Sequence, residues 1–414
     1  MTIDADLRAR AERVIPGGMW GHTAIDRQPP GYPQFFERAD GCRIWDVDGR
    51  ASIDFICSWG PVVLGHHDPD VEAAVRAQAA RGDSLNGPSP RLVELAELLV
   101  DLVPHADWAM FSKNGTDATT ACVTIARAGT GRRKVLVAHG AYHGAAPWCT
   151  PSLVGVTAED RAHLIEFDYN DAASLRTAAA VAGGDLAAVI VSGFKHDLGK
   201  NHELATPDFA QAAREVCDAA GAALIVDDVR AGFRLDLGGS WETVGVRPDL
   251  SAFSKAIANG YPLAAVVGGN RFRDAASRVF VTGSFWTAAV PMAAAIATLT
   301  KLRQTDGIAH MRAMGERLRA GLEDQSRARG FRLIQSGPPQ MPLMLFADDP
   351  GRALGLAFCR EALARGVYLH HVHTMFLSTA HTPADIDEAL DATDRAFAAL
   401  ASTRPSSSKP ALRA

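Results

Sequence analysis

The 414-residue sequence lacks the features that mark membrane, secreted and polyanion-binding proteins. No apolar run reaches the roughly 18–20 residues that a membrane-spanning helix needs. The first 18 residues contain no apolar core of a secretory signal. A formal net charge of −5 offers no basic surface for nucleic acid. We therefore expect a cytoplasmic protein that binds neither a membrane nor a nucleic acid.

Cysteine is also sparse, and its spacing contains no CxxC pair. Most of the six residues stand in apolar surroundings, which favours buried free thiols over disulfides or metal ligands. They are Cys42, Cys57, Cys122, Cys149, Cys217 and Cys359.

The middle of the chain alternates between helical and strand patterns. Such alternation predicts an α/β fold with a parallel sheet and right-handed crossovers. From about residue 291 the pattern changes to a smaller α+β lobe, with a strand at VYLHH (367–371) and a last helix at 383–400. Residues 402–414 have the composition of a disordered tail.

Lys255 lies in an unusually apolar stretch, DLSAFSKAIANG. A buried lysine loses hydration, so its pKa falls and its neutral amine becomes a nucleophile. Imine formation with an aldehyde requires that property. A surface lysine whose stem covers apolar groups would also explain the pattern.

Asp227 and Asp228 end the apolar run AALIVDD, which has the length of a buried strand. In a parallel sheet that end of a strand faces the ligand crevice. An acid there needs a cation, and the protonated pyridine nitrogen of pyridoxal phosphate (PLP) is one that enzymes pair with aspartate. A helix N-cap, or an ion pair with Arg230 or Arg234, is the structural alternative.

Two further segments are suited to a phosphorylated aromatic ligand. Residues 114–119 (NGTDAT) open a predicted helix, whose first N–H groups and dipole favour a phosphate. Thr116 or Asp117 would otherwise simply cap that helix. Tyr142 and His143 follow the strand-like KVLVAH, where an aromatic ring would stack on a pyridine or pack in the core. The order of all these signals along one α/β chain indicates a PLP enzyme.

Seven segments, in this order, connect the chain to a known family: IPGG, WDVDGR, SWGP…LGHHDP, NGTDAT, AYHGA, DDVRAGFR and FSKAIANGYPLAA. From about residue 8 to 400 the chain resembles the class III (ω-type) aminotransferases of PLP fold type I, and within them the glutamate-1-semialdehyde aminomutase branch. The resemblance implies an aspartate aminotransferase-like fold with a large domain on a central, mostly parallel sheet and a smaller α+β domain. We expect four segments: 1–60, contributing to the small lobe and the site; 61–290, the large PLP-binding domain; 291–401, the small domain; and the tail.

The resemblance also implies roles for individual residues. Lys255 would hold PLP as a Schiff base, Asp227 would bind the pyridine nitrogen, and Tyr142 and Val229 would cover the two ring faces. Ser284 would reach the phosphate of the neighbouring subunit, which implies a homodimer with shared sites. His196 or Asp197 would lie near the ring hydroxyl. The full set of implied cofactor contacts is Asn114, Gly115, Thr116, Tyr142, His143, Asp227, Val229, Lys255 and Ser284.

The chain departs from the aminomutase pattern where substrate specificity is decided. Ala24 stands at the place of the arginine that binds the aminomutase's substrate carboxylate, and losing such a clamp argues against that substrate. We expect Arg230 to contact the cofactor or an acceptor carboxylate, and an apolar pocket from Trp20, Trp59, Phe285 and Trp286.

Other segments, among them MWGH, PPGYPQFF and VTGSFW, resemble the bacterial fumonisin-type aminotransferases. That resemblance implies a long-chain amino-polyol donor, such as hydrolysed fumonisin, and pyruvate as acceptor.

Three alternatives remain open at this point. An intramolecular aminomutase or a racemase would keep the cofactor without needing an amino acceptor. A PLP-binding regulatory module would keep the fold without the reaction, although no DNA-binding extension is visible. His370, His371 and His373 would suit a metal if they lay on a strand, but no acidic or cysteine partner accompanies them, so we expect them to line a polar pocket and expect no metal.

Overall fold

The computed structural model of the chain describes residues 2–403. Its helices are α1 (Ile3–Val14), α2 (Pro69–Ala79), α3 (Pro90–Leu102), α4 (Gly115–Thr130), α5 (Ala158–Arg161), α6 (Ala172–Ala182), α7 (Pro207–Ala220), α8 (Arg273–Arg278), α9 (Ala289–Gln304), α10 (Gly307–Ala328), α11 (Ala353–Leu363) and α12 (Pro383–Thr403). Its strands are β1 (Phe36–Asp40), β2 (Arg43–Asp46), β3 (Ala51–Asp54), β4 (Trp108–Ser112), β5 (Lys134–Ala138), β6 (Leu164–Phe167), β7 (Leu186–Ser192), β8 (Phe194–Lys195), β9 (Glu203–Leu204), β10 (Ala223–Asp227), β11 (Leu250–Phe253), β12 (Ala264–Gly268), β13 (Leu333–Ser336), β14 (Leu343–Phe346) and β15 (Val367–Tyr368).

The central sheet has the strand order β4-β12-β11-β10-β7-β5-β6. Strands β11, β10, β7, β5 and β6 pair in parallel, and β12 runs antiparallel to both of its neighbours. The expected α/β fold with a mostly parallel central sheet is therefore confirmed.

Both faces of this sheet are covered by helices, which explains why its strands are apolar throughout. Ile190 and Ile225 pack on the side of α4 and α8, whereas Val189 and Leu224 pack on the side of α6 and α7. A strand that is buried on both faces has no polar alternation, so AAVIV and AALIV appear in the sequence as continuous apolar runs.

Individual residues explain where some of these elements begin and end. Thr206 caps α7, and Gly221 closes that helix in the left-handed conformation (φ 63°), as its position in the sequence predicts. Asp48-Gly49 lies between the antiparallel strands β2 and β3.

A second sheet brings the two ends of the chain together. Its order is β1-β2-β3-β15, and β15 pairs in parallel with β3. A further cluster of buried apolar side chains joins residues from α2, α3 and α9 to residues from α10, α11 and α12. The domain boundaries at 60/61 and 290/291 stay predictions.

Other observations bear on the remaining expectations. All six cysteines are free and buried, as expected. Helix α12 continues to Thr403, so the predicted tail does not begin at 402; residues 404–414 lie outside the described part of the chain. Within residues 2–403, no helix combines the length and apolar character that crossing a bilayer requires.

Candidate active site

A cavity of about 430 Å³ opens at the carboxyl ends of the parallel strands. The segments that follow β4, β5, β10 and β11 line it, which is where open α/β sheets bind their ligands. The structure brings nine of the residues singled out from the sequence to this cavity: Asn114, Gly115, Thr116, Tyr142, His143, Asp227, Val229, Arg230 and Lys255.

Lys255 lies two residues after β11 in a left-handed conformation (φ 47°). Its Nζ donates a hydrogen bond to the carbonyl oxygen of Trp59, 2.8 Å away. Burial, and then the positive charges of Arg230 and Arg234, lower the pKa of Lys255 from 10.5 to about 7. The amine is therefore mostly neutral at mildly alkaline pH, and the neutral amine is the form that attacks an aldehyde.

Asp227, the last residue of β10, is held by two hydrogen bonds. Its Oδ2 lies 2.7 Å from His143 Nδ1, and the Val229 N–H donates to its Oδ1 at 3.1 Å. The distance allows a hydrogen bond in which a protonated His143 Nδ1 donates to the carboxylate oxygen. The His143 ring stacks on Trp148, with 6.3 Å between centroids and 13° between planes. These contacts fix a buried acceptor at the cavity wall.

The ion-pair alternative for the two acids is wrong. Among the described residues, Arg230 contacts His373 and Thr374, and Arg234 contacts only uncharged groups. Asp228 instead accepts the Ser240 N–H at 2.9 Å, and burial raises the pKa of this carboxyl to about 7.

The helix start that the sequence predicts to bind a phosphate is the start of α4, at one end of the cavity. The N-cap is Asn114, and not Thr116 or Asp117 as the alternative had it. The Asn114 side chain accepts the Asp117 N–H at 3.0 Å, while the Asp117 carboxylate accepts the Asn114 N–H at 3.2 Å. This capping box satisfies part of the first turn and leaves other helix N–H groups facing the cavity for an anion.

The local packing fits the phosphate of PLP. A Cβ on Gly115 would lie 2.7 and 2.9 Å from the two methyl carbons of Val229, so only glycine leaves this backbone open to close approach. The Lys113 Nζ is buried beside it without a hydrogen-bond acceptor in residues 2–403. With the amine of Lys255 and the carboxylate of Asp227 on the same cavity, the residues present match an aldehyde, a pyridine nitrogen and a phosphate.

Aromatic and imidazole rings surround the Trp59 side of the site. The Trp59 ring lies 5.0, 5.8 and 4.8 Å from those of His22, His370 and His373. Burial lowers the pKa of each of these histidines, to about 4 for His370. The rings are therefore neutral near pH 7.

The expected strand VYLHH is wrong beyond Tyr368, where β15 ends. The reason is a tight turn in which His370 Nδ1 accepts the N–H groups of Val372 and His373. His371 and His373 therefore do not share a strand face. No cluster of three or more potential metal ligands exists among the described residues.

Five of the site residues predicted from the sequence, Trp59 among them, do not line the cavity of this chain. Trp20 and Phe285 are 68% and 66% exposed, Ser284 is exposed, and Trp286 is half-buried. Trp59 reaches the site through its carbonyl group. Of the two residues proposed for the ring hydroxyl, His196 lines the cavity and Asp197 does not.

Sequence reasoning missed Lys113 and Arg234 as parts of the site. Lys113 directly precedes the NGT segment, so its position was a usable signal. Arg234 was considered only as an ion-pair partner, because backbone carbonyl acceptors leave no trace in a sequence.

Comparison with known proteins decides the family. The class III aminotransferase family profile matches residues 25–397. The aminopentol aminotransferase of Sphingopyxis macrogoltabida is 53% identical over 399 residues, which are 96% of this chain and 94% of that protein. The chain belongs to the class III aminotransferases. This aminotransferase is a PLP-dependent transaminase of fold type I.

Solved structures agree. The FumI protein of Sphingopyxis sp. MTA144, in its PLP internal aldimine form, superposes with a TM-score of 0.95 at 53% identity, covering 96% of each chain. An ω-transaminase from Sphaerobacter thermophilus superposes with a TM-score of 0.88 at 28% identity, covering 96% of this chain and 98% of the other.

Proposed function

We propose that this aminotransferase takes the amino group of a long-chain amino-polyol, such as hydrolysed fumonisin, and passes it to a keto acid such as pyruvate. The observation that carries the donor assignment is the 53% identity, over 96% of the chain, to a protein named for aminopentol. The site assignments made from the sequence are part of this proposal.

Arg230 supports a carboxylate-bearing acceptor. Its Nη1 lies 3.4 Å from His373 Nε2 and 3.2 Å from Thr374 Oγ1, and both partners are uncharged. Among the side chains that the structure describes, which exclude that of Asp26, no carboxylate forms an ion pair with it, although it lines the cavity that holds Lys255. Burial lowers its pKa to about 10, so it stays cationic near neutral pH. A held, unpaired guanidinium is suited to bind a carboxylate with two hydrogen bonds.

The group of rings around Trp59, which adjoins Arg230 through His373, supports a hydroxylated donor. His22, His370 and His373 are neutral, so each imidazole both donates and accepts hydrogen bonds without adding charge. The Trp59 ring between them supplies apolar area for an alkyl chain. Such a surface accommodates hydroxyl groups spaced along a hydrocarbon better than it accommodates a charged donor.

In this scheme the residues of the chain bind and orient the cofactor and the substrate, and Lys255 moves one proton. PLP supplies an aldehyde that condenses with amines and a ring that accepts electrons from the adjacent carbon. The Asp227 carboxylate, fixed by His143, would hold the pyridine nitrogen of the cofactor. Lys255, once its amine is free, would take the proton from the donor carbon and give it back later in the cycle, acting as base and then as acid. The depressed pKa of Lys255 keeps this base ready near pH 7.

The same proposal includes a homodimer in which Ser284 reaches the phosphate of the neighbouring subunit. Two features support it: Ser284 is exposed and does not line the cavity of its own chain. Nearby Phe280 and Phe285 are 93% and 66% exposed, which suits a surface covered by another protein. The cytoplasmic location stays a prediction.

A substrate panel tests the proposal. The purified enzyme is given an amino-polyol with pyruvate, a simple aliphatic amine with pyruvate, and 4-amino-5-oxopentanoate without an acceptor. Conversion of the amino-polyol only when pyruvate is present supports transamination. Turnover of the aminoaldehyde without pyruvate would favour the aminomutase alternative instead.

Arg230→Met is expected to raise the KM for pyruvate about tenfold or more, since one charge-assisted clamp is lost. The half-reaction with the amine should keep its rate at alkaline pH but lose rate at lower pH, because the Arg230 charge also lowers the pKa of Lys255. Arg312→Met, at an exposed position on α10, is the control. An unchanged KM for pyruvate in Arg230→Met would remove Arg230 from the proposal.

A further inference from the structure

Arg234 is a fully buried cation with no anion beside it. Its side chain is 0% exposed, and no Asp or Glu whose side chain the structure describes forms an ion pair with it. It lies between β10 and β11, with its guanidinium carbon 5.1 Å from the centre of the Phe376 ring. Burying a charge without a counter-charge is costly, so the contacts that retain it call for an explanation.

The guanidinium binds backbone carbonyl groups from two separate loops. Nη2 donates to the oxygens of Gly60 and Val62 at 2.8 and 2.7 Å, and Nη1 donates to that of Leu377 at 2.5 Å. A planar group with several fixed donors is suited to joining loops in this way, whereas a lysine ammonium is a compact point charge.

The loop that Arg234 holds has an unfavourable backbone. Cys57, Ser58 and Trp59 all have positive φ angles of 48°, 56° and 66°, and Gly60 follows at 107°. Each non-glycine residue in this region costs about 1–2 kcal/mol, and such a conformation persists only where its surroundings fix it. The two bonds from Arg234 supply part of that restraint immediately after Trp59.

This loop carries the hydrogen-bond acceptor for the reactive amine. The Trp59 carbonyl oxygen lies 2.8 Å from Lys255 Nζ. A Cβ on Gly60 would lie 3.4 Å from Lys255 Cδ, so the loop also packs against the lysine stem. Arg234 therefore connects to Lys255 through two hydrogen bonds, one to the Gly60 carbonyl and one from Lys255 to the Trp59 carbonyl, whose residues are adjacent in the chain.

We propose that Arg234 is a positioning residue for amino transfer: it holds the 57–62 loop so that the Trp59 carbonyl receives the Lys255 amine whenever that amine is free. The inference rests on the role of Lys255 proposed above. Without Arg234 the loop relaxes, the free amine loses its fixed direction, and its protonated form becomes more favourable.

Several groups act on the Lys255 amine, and the test must separate Arg234 from them. Burial and the charges of Arg230 and Arg234 lower its pKa, and Asp227 opposes them. The titratable and charged groups around the amine are His22, Asp227, Arg230, Arg234 and His373.

The experiment compares Arg234→Met and Arg234→Lys in the holoenzyme. The rate of the half-reaction with an aliphatic amine is measured from pH 5.5 to 9.5 in single turnovers. Hydrogen exchange of residues 57–62 is measured alongside. Arg234→Met should lower the rate about 10- to 100-fold, as expected for a misplaced reacting group. In the plot of rate against pH, the fall on the acidic side (the acidic limb) should move up by about one pH unit. Arg234→Lys should lower the rate and speed exchange, but keep the acidic limb near its original pH because the charge remains.

Arg319→Met is the matched control, because Arg319 also donates to carbonyls, those of Gln335 and Gly337, away from the cavity. It should lower the melting temperature without moving the pH profile. If Arg234→Met does not fold, Arg234→Lys with its exchange data decides alone. If the Arg234 variants keep the wild-type rate and the wild-type dependence of the rate on pH, and only their stability is lower, the proposal is overturned. Full turnover by Lys255→Ala would instead contradict the proposed function itself.

Discussion

The substitution Gly115→Ala tests how closely the first residue of α4, at the predicted phosphate site, packs against Val229. Val229 is the residue predicted to cover one face of the cofactor ring. The new Cβ would lie 2.7 and 2.9 Å from the Val229 methyl carbons, where ordinary contacts are 3.4–4 Å. Val229 is β-branched and cannot turn away freely. Val229 lines the cavity, so relief of the clash displaces it towards the space of the ring, and PLP must push it back. Overpacking of this kind costs about 1–3 kcal/mol, so the Kd for PLP should rise by up to about 5- to 150-fold.

The apo protein should also lose stability, because the clash is present without the cofactor, but by less than the loss of binding, because Val229 lines the cavity and can shift into it when no ring is bound. PLP affinity is measured by titrating the apo protein and following cofactor absorbance, and apo stability by thermal melting.

Two further variants make this prediction refutable. Val229→Ala combined with Gly115→Ala should recover most of the lost affinity, giving a coupling energy of about 1 kcal/mol or more. Gly129→Ala, at the other end of α4, meets Phe272 at 2.6 Å and should lower stability with no effect on PLP binding. An unchanged Kd in Gly115→Ala, or no coupling to Val229→Ala, would refute the reasoning.

Further predictions concern buried ionisable groups. Burial raises the Asp228 pKa from 3.8 to about 7, so the folded protein loses stability as pH rises between those values; Asp228→Asn should melt higher than wild type at pH 8, and the difference should shrink towards pH 4. The pKa of Lys255 is lowered from 10.5 to about 7, so between these pH values the unfolded chain binds one more proton than the folded chain. The stability of the apo wild type relative to Lys255→Met should therefore rise with pH across that window. Equal slopes of stability against pH in the two proteins would contradict this prediction. Lys113 has a buried Nζ without an acceptor in the described residues, so Lys113→Met should stabilise the apo protein by about 1 kcal/mol in denaturant titrations; a destabilised variant would show that the amine has a partner.

The sequence was enough to place the main chemistry because that chemistry follows from strand ends. Asp227 ends an apolar run, and Lys255 follows another short apolar segment, so a parallel sheet brings both to one edge. The NGT segment and Tyr142-His143 follow strands of the same sheet, which is why the structure gathers them at the same cavity.

Other parts of the site depend on interactions that no sequence pattern encodes. Arg234 binds carbonyl groups of residues far along the chain, and carbonyls are present at every position. The turn after Tyr368 forms because the His370 ring replaces strand hydrogen bonds, so the apolar start of VYLHH misled the strand assignment. Ser284 and Phe285 lie on the surface of this chain, and their predicted roles depend on a second subunit.

One measurement tests the central claim, that Lys255 and Asp227 in this cavity carry out amino transfer between two substrates. The absorbance of the holoenzyme is recorded before adding an amino-polyol, after adding it, and after adding pyruvate. We predict that the amine converts the cofactor to its amine form and that pyruvate restores the starting spectrum, whereas Lys255→Ala shows no such cycle. A spectrum that does not respond to the amine, or a Lys255→Ala enzyme that completes the cycle, would contradict the account.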